Sequence, residues 1–498
     1  MSLFARKICR NDFYDFFGYT NFMKLDRFII NQRTALCALL AFSGAFCGFL
    51  QSSINLPAAA FFVFAPMLYA LTEACSAKNF LVRYACFFLP YYLIQLSFLL
   101  TVWKLEPLPK WAAVPLAVLA CLALTLWESG LMLAAVCLFI PFRRRIDDGI
   151  LRTFILSFLI CTGEWLQEAV PFLAFPWSGV WLTVTDSPLL LRSAAAGNCR
   201  LTSFIILAAN GLLAQCIFSR KKIPALLALA ALQISNISCC AYSLKKTESL
   251  ISTDGESLTV MCAQDSVQGE EKSKRKAFDS AVSYLNILND GWKWGTDLVL
   301  LPETAVPADF DDELTEFRLL SDFARSKGCT VVTGSFFLDG GKDYNALLAF
   351  TPDGEVTAPY LKQVLVPFGE KIPLASLWGV QTMCECNDPA YTKPLETGEN
   401  TVGAVICVES VFSDLVKAQT RQGAQFLCVS TNDSWFGKSS AREQHYRHCI
   451  MRAVENNCYL LRAGNCGISA VISPTGEQLS TKTDSCKGVV CGEIKLSE

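Results

Sequence analysis

The sequence predicts a multi-span α-helical membrane domain followed by a layered α/β sandwich domain. Hydrophobic residues make up 52% of the 498 residues and charged residues only 18%, and mean hydropathy is positive. Soluble chains of this size rarely show that balance, and membrane proteins usually do. The apolar residues come in long blocks up to about residue 242, and the remainder reads as an ordinary globular domain. In that remainder short strand-length apolar runs alternate with helically spaced ones, the pattern of packed β and α layers. The length itself calls for two or more domains. A net charge of −2 gives no argument for a nucleic-acid partner.

A spanning helix needs roughly 20 apolar residues. The candidate spans are Ala35–Leu50, Leu56–Thr72, Phe80–Trp103, Trp111–Pro141, Ile150–Phe172, Leu201–Phe218 and Ile223–Tyr242. Loop charge orders them. Arg6, Lys7, Arg10, Lys24, Arg27 and Arg33 precede the first, and Lys78 follows the second. Arg143, Arg144 and Arg145 follow the fourth, and Arg220, Lys221 and Lys222 the sixth. The alternate loops hold only Lys104, Lys110, Arg192 and Arg200. Basic loops stay in the cytoplasm, so the N-terminus is expected there and everything beyond residue 242 on the far side. Dividing the overlong fourth block at Glu128 would export Arg220–Lys222, so it is kept as one element. No cleavable-signal pattern precedes the first span. The expected organisation is a cytoplasmic segment over 1–33, about seven transmembrane helices over 34–242, a linker over 243–256 and a globular α/β domain over 257–498. Glu128, Glu164 and Glu168 lie inside spans, where carboxylates are costly; pairing between helices and a polar lining for a lipid headgroup both remain open.

The distal domain is read element by element. Leu258–Ala263 is a strand, and Ala277–Leu288 carries Phe278, Val282, Leu285 and Leu288 on one helical face. Asp297–Leu301 is a buried strand ending in Pro302-Glu303. Leu314, Phe317, Leu320 and Phe323 mark a helix closed by Lys327-Gly328. Thr330–Leu338 is a strand, and Ala346–Phe350 with Glu355–Thr357 flank a hairpin turn at Pro352-Asp353-Gly354. Phe426–Ser430 is a strand, Arg442–Asn456 a helix, and strands flank the turn Pro474-Thr475-Gly476.

The chemistry centres on V-G-A-V-I-C-V-E-S at Val402–Ser410. Small and apolar residues run straight into Cys407, polarity switches at Glu409 and Ser410, and Val411–Gln422 has helical spacing. A strand-to-helix corner lifts a side chain out of the sheet beside backbone N–H groups, as a nucleophile with an oxyanion hole requires. Taken alone, a buried apolar cysteine at a strand end explains the stretch as well. Two other strand ends carry reactive groups: Glu303 in L-L-P-E and Lys362 in Y-L-K-Q-V-L-V-P-F-G-E.

These three stretches, with N-D-S-W-F-G at Asn432–Gly437, resemble the Glu-Lys-Cys triad of the nitrilase superfamily. Joined to seven N-terminal spans, the pattern resembles the apolipoprotein N-acyltransferase family, membrane-embedded members of that superfamily. The likeness implies a nitrilase-like αββα sandwich and a ping-pong acyl transfer through a thioester. The donor would be a phospholipid of phosphatidylethanolamine type, and the acceptor the α-amino group of an S-diacylglyceryl-cysteine apolipoprotein. It implies Cys407 as nucleophile, Glu303 as general base, and Lys362 as the charge that lowers the thiol pKa and holds the oxyanion with the N–H of Val408. Glu370 would orient Lys362 or the amine, Glu409 would be a partner near the site, and Trp435 with Phe436 would pack the acyl chain or fill the core. The implied location is the bacterial inner membrane, with the catalytic domain periplasmic and no cofactor. The family's further span has no counterpart in G-V-V-C-G-E-I-K-L-S-E, which is too short and polar to cross, so a domain tethered at one end is expected.

Other features carry less. His445 and His448 lie at i and i+3 on a helix with no third ligand at motif spacing, and Cys384 and Cys386 sit closer than zinc ligands do, so no metal is expected. The distal domain's cysteines could pair in an oxidising compartment, but spacing does not give connectivity. A membrane-tethered amidase, with water replacing the amine, uses the same triad, and a transporter with an inactive sensor domain would have lost part of it.

Overall fold

The computed structural model describes residues 19–54, 56–104, 109–219, 222–251, 256–367, 370, 393–482 and 486–496. Arg6, Lys7, Arg10, Arg220, Lys221, Cys384, Cys386 and Phe368-Gly369 lie outside them.

The first part is helical: α1 (Tyr19–Ser52), α2 (Ala65–Thr72), α3 (Ala77–Gln95), α4 (Lys110–Cys137), α5 (Gly149–Ala169), α6 (Cys199–Phe218) and α7 (Lys222–Ile251). Among the described residues five helices are long and apolar enough to cross a membrane, at 32–52, 110–142, 149–169, 199–218 and 222–249. The overlong fourth block is indeed one element. Two expected spans are instead broken. Leu56–Thr72 divides into a 3₁₀ turn, Pro57–Phe61, and the short α2, each with a proline in its first turn, where the missing N–H costs nothing. Phe80–Trp103 becomes α3, with Pro90 inside it, followed by a 3₁₀ turn over Ser97–Lys104. Helix α7 runs past Tyr242 through most of the expected linker. Its added turns have partners: Arg192 donates to the Ser243 carbonyl at 3.0 Å, and Thr247 donates to Asn457 at 2.7 Å.

Helices α1 and α3 cross at Gly44 and Gly48, where a Cβ would meet the carbonyl oxygens of Phe87 at 2.1 Å and Tyr91 at 2.7 Å. The small-xxx-small spacing lets the two backbones touch.

The distal part holds two six-stranded sheets. The first, in the order β12-β1-β2-β3-β4-β5, uses Gly488–Lys495, Ser257–Gln264, Leu298–Leu300, Thr330–Asp339, Lys342–Phe350 and Tyr360–Leu361. The second, β11-β10-β9-β8-β7-β6, uses Gln478–Lys482, Ser469–Ile472, Leu460–Asn465, Phe426–Asn432, Thr401–Ile406 and Leu395–Glu396. Strands β1, β2 and β3 are parallel neighbours, as are β7, β8 and β9. An apolar cluster including Val260, Leu300, Ile406 and Leu461 fills the space between the sheets. The outer face of the first sheet is covered by α9 (Ala277–Asp290) and α10 (Thr315–Lys327), which follow the short α8 (Gly269–Lys274).

The expected Pro352–Gly354 hairpin forms but is short: the Thr351 N–H donates to the Glu355 carbonyl at 2.8 Å, the Thr357 N–H to the Ala349 carbonyl at 3.0 Å, and Val356 bridges Phe350 antiparallel. A longer hairpin precedes it, where strands β3 and β4 pair along their length and turn at Gly340-Gly341, both at positive φ, the left-handed region such tight turns need. The C-terminal stretch read as too polar to span is β12, paired antiparallel with β1.

The helices of the second sheet, α11 (Ser413–Arg421) and α12 (Ala441–Asn456), face the membrane helices, and one apolar cluster runs from Leu40 and Phe87 through Trp177 to Val408 and Met451. A buried amide ladder crosses the same boundary. Trp177 Nε1 donates to Gln444 Oε1 at 2.8 Å, Gln444 to Gln95 at 2.6 Å, Gln95 to Gln51, and Arg447 to the Gln51 carbonyl at 2.7 Å. The three glutamine amides carry no charge to desolvate, and the buried Arg447 adds one cation to the joint. The catalytic part is therefore docked along a whole helical layer. The described cysteines are all free thiols.

Candidate active site

Glu303 lies just beyond β2, Lys362 directly after β5, and Cys407 directly after β7, so the fold gathers three strand ends. Cys407 has φ +53°, a left-handed conformation that L side chains enter at a cost of about 1–3 kcal/mol. The next residues, Cys407–Val411, form a 3₁₀ turn before α11 begins. The expected helix thus starts later than Val411, and the tight turn makes the corner.

Glu303 has its own corner. Thr304, next in sequence, has φ +46°. The backbone of Glu303 rests against Gly334, where a Cβ would come within 2.7 Å of Glu303 Cα and 2.5 Å of Thr304 N. The carboxylate is buried and fully engaged. Its Oε1 accepts from Lys362 Nζ at 2.8 Å and Asn345 Nδ2 at 2.9 Å, and Oε2 accepts from the Asn432 N–H at 3.0 Å. Burial raises its pKa, but Lys362 beside it and Lys272 nearby outweigh that and hold it below the ordinary value. Glu303 is therefore an ionised carboxylate, ready to accept a proton.

Lys362 is fully buried and also donates to Glu370 Oε1 at 2.8 Å. Burial lowers its pKa; the two carboxylates more than reverse this and push it well above the ordinary lysine value. Glu370 is oriented in turn by the N–H of Val366 at 2.9 Å and by Asn345 at 3.2 Å. Of the two expected roles for Glu370, the contact made is the one with Lys362.

Cys407 is 7% exposed. Burial pushes its thiol far above the ordinary value and Glu303 adds to the rise, while Lys362 and the Thr431 hydroxyl oppose it without prevailing. Lys362 does pull the thiol pKa down as expected, but burial, the larger effect, outweighs it and the net shift is upward. The resting pair is a neutral thiol and a carboxylate, which is the protonation state for general-base attack.

Glu409 is completely buried and accepts from the N–H groups of Ile406 (2.7 Å), Gln363 (2.5 Å) and Val364 (3.2 Å) and from the Tyr360 hydroxyl (3.0 Å). Burial lifts its carboxyl to about 7 although these donors and Lys362 act against it. It ties the strand that ends at Cys407 to the segment that presents Lys362. Val408 is buried at the second position of the turn. Trp435, half exposed, is not drawn into the constellation, whereas Phe436 packs edge-on to Phe98 and His445.

Sequence reasoning missed several participants. Asn345 bridges both carboxylates from mid-strand, where nothing marks it. Lys272 donates to the Glu303 carbonyl at 2.7 Å, and burial brings its pKa down to about 8 against the pull of Glu303. Asn432 and Asp433 were signalled by N-D-S-W-F-G but had no role attached. His445, set aside as a metal ligand, lies between Asp433 and the Cys407 carbonyl.

Two of the three spanning carboxylates have partners; Glu128 is buried with no hydrogen bond to either carboxyl oxygen among the described residues. Glu164 Oε1 accepts from the Val180 N–H at 2.7 Å and Ser203 at 3.1 Å, holding the loop that carries Trp177. Glu168 pairs with Arg200 and accepts from the Asp414 N–H at 2.8 Å, across the domain boundary. A small cavity lies between them, lined also by Trp181, Val411 and Ser413.

Residues 265–498 match the family described as carbon-nitrogen hydrolase, and residues 43–212 the apolipoprotein N-acyltransferase N-terminal domain. An apolipoprotein N-acyltransferase of Geobacter metallireducens is 30% identical over 372 residues, spanning 72% of this chain and 71% of the relative. One from Aquifex aeolicus is 27% identical over 423 residues, covering 83% of this chain and 90% of its own length. A nitrilase-superfamily structure from Saccharomyces cerevisiae aligns with 48% of this chain and 90% of its own, at 18% identity and a TM-score of 0.40, too low to argue from.

Proposed function

Because the chain belongs to the apolipoprotein N-acyltransferase family, we propose that this multi-pass membrane acyltransferase works through a thioester on Cys407, with a phospholipid as donor. Glu303 takes the thiol proton as Sγ attacks the donor's ester carbonyl. Lys362 and the Val408 N–H hold the resulting oxyanion, and collapse breaks the ester C–O bond, the glycerol oxygen leaving with the proton held by Glu303. In the second half-reaction the α-amino group of an S-diacylglyceryl-cysteine attacks the thioester carbonyl. Glu303 takes the amine proton, the C–S bond breaks, and that proton returns to sulfur, leaving an amide and the free enzyme.

The observation that carries this reading is the buried contact of Lys362 with Glu303, at 2.8 Å, beside the left-handed corner of Cys407. It supplies a base that is ionised, a cation that stays protonated, and a thiol that needs the base. The layer carrying the corner is packed on the membrane helices, which suits two lipid substrates that arrive within a bilayer. With the basic loops cytoplasmic, the catalytic part faces the periplasm and the membrane is the inner one.

Acceptor dependence tests the reading. Enzyme charged with phospholipid and freed of donor should keep its acyl group until a diacylglyceryl lipopeptide is added, and should then yield the amide. Equal loss with and without lipopeptide would replace the transferase by a membrane-tethered amidase.

A further inference from the structure

A trans peptide carries its C=O and its N–H on opposite sides. Whatever fixes the carbonyl of one residue therefore aims the N–H of the next. The peptide joining Cys407 to Val408 is such a case, because its N–H is the one assigned above to the oxyanion. Its position in the 3₁₀ turn matters too. As the second residue, Val408 has no carbonyl of the turn itself to bond, like every N–H in a first helical turn.

The carbonyl of Cys407 is held by two donors. Ser410 Oγ lies 2.9 Å away and His445 Nε2 lies 3.0 Å away. A carbonyl oxygen only accepts, so Nε2 carries a proton, and it also lies 3.0 Å from Ser410 Oγ. On its other side the ring is fixed by charge. Nδ1 is 2.9 Å from Asp433 Oδ1 and 3.2 Å from Arg462. Asp433 is held by Arg462 at 2.7 Å and by the Thr431 hydroxyl at 3.1 Å. With Nδ1 accepting from Arg462, the proton of the neutral ring sits on Nε2 and faces the Cys407 carbonyl. Trp177 stacks on the imidazole at 5.8 Å and Phe436 meets it edge-on. His445, Asp433 and Arg462 are all completely buried.

A buried neutral histidine has one donor and one acceptor to satisfy, and this one has four polar neighbours arranged around a strained backbone. With φ at +53°, Cys407 sits uphill of conformations reached by rotating its peptides, so a peptide released from its donors has somewhere lower to go. We propose that His445 is a positioning residue for acyl transfer: by holding the Cys407 carbonyl, with Asp433 and Arg462 fixing the ring, it keeps the Val408 N–H aimed at the oxyanion. This rests on the reading that Cys407 is acylated.

The test separates oxyanion formation from thiol reactivity. Acylation is read as the nitrophenolate burst with p-nitrophenyl butyrate and as charging by phospholipid, both passing through a tetrahedral oxyanion. Alkylation of Cys407 by iodoacetamide uses the same thiol and base but builds no oxyanion. Losing one oxyanion donor slows acylation by about 10²–10³-fold, and His445→Ala should approach this while alkylation stays within a few-fold of wild type. His445→Gln, which restores an amide N–H near the Nε2 position, should recover much of the loss. If His445→Ala does not fold, His445→Gln and Ser410→Ala carry the test, Ser410→Ala removing the second donor and slowing acylation more than alkylation. Alkylation falling in step with acylation, or acylation as fast as wild type in folded variants, overturns the assignment. Failure of phospholipid to charge the wild type would sink the donor reading alone, because the ester burst still reports on the Val408 N–H.

Discussion

Replacing Lys362 by methionine tests the electrostatic core of the site. The ammonium is completely buried and donates at 2.8 Å to each of two carboxylates, Glu303 and Glu370. Without it the two acids face one another across Asn345, whose single amide nitrogen is 2.9 and 3.2 Å from them. Breaking a buried pair by removing one partner typically costs about 3–5 kcal/mol. At about 2–4 °C per kcal/mol for a domain of this size, unfolding should shift down by roughly 6–20 °C. Burial, no longer opposed by Lys362, would raise the carboxyl pKa of Glu303 in the variant. A raised carboxyl pKa gives stability that is present at low pH and lost as pH rises through it, so the deficit should be larger at pH 8 than at pH 5. Adding Glu303→Gln should restore part of the lost stability and none of the activity. The assay is thermal unfolding of detergent-solubilised protein at one fixed scan rate, since such proteins unfold irreversibly. A midpoint within about 2 °C of wild type, or a double variant that loses the sum of both single losses, would refute the reasoning.

Further predictions concern the nucleophile, the base and the topology. Cys407→Ala and Cys407→Ser should lose turnover while still folding, and activity retained in folded Cys407→Ala would remove the nucleophile assignment. Alkylation of Cys407 should be flat between pH 7 and 9, because the ionised Glu303, its pKa lowered, supplies the base throughout. A free thiol would climb about tenfold per unit up to its pKa near 8.5, and such a climb here would exclude Glu303 as base. The same alkylation should nearly stop in Glu303→Gln. A reporter active only in the periplasm should work when fused after Ile251, where α7 ends, and stay silent after Arg145; the reverse would put the site in the cytoplasm.

The sandwich was legible because its signals are local. Apolar runs of strand length, the helical spacing of Phe317, Leu320 and Phe323, and the Lys327-Gly328 stop all marked elements that formed. The membrane helices were legible as apolar blocks but less so as spans, since Pro57 and Pro66 each start a new element in the second block and the third gives way to a 3₁₀ turn after Gln95. The extension of α7 was invisible, because Thr247 depends on Asn457, a residue far along the chain. At the site the three strand ends could be named from their motifs. What joins them could not. Asn345 looks like any polar residue in a strand, the left-handed backbone of Cys407 has no glycine to announce it, and the sign of the thiol's shift is set first by its burial, which only the folded packing determines. His445 was read for metal because its partners, Asp433, Arg462 and the Cys407 carbonyl, converge only in three dimensions.

Intact-mass measurement after incubation with phospholipid alone tests the central claim most directly. The account predicts that wild-type protein gains the mass of one acyl chain, that the added mass maps to Cys407 and is released by hydroxylamine, and that an equivalent of lysophospholipid appears. An unmodified mass together with acceptor acylated in a single step, or an acyl group found on another residue, would contradict the thioester route.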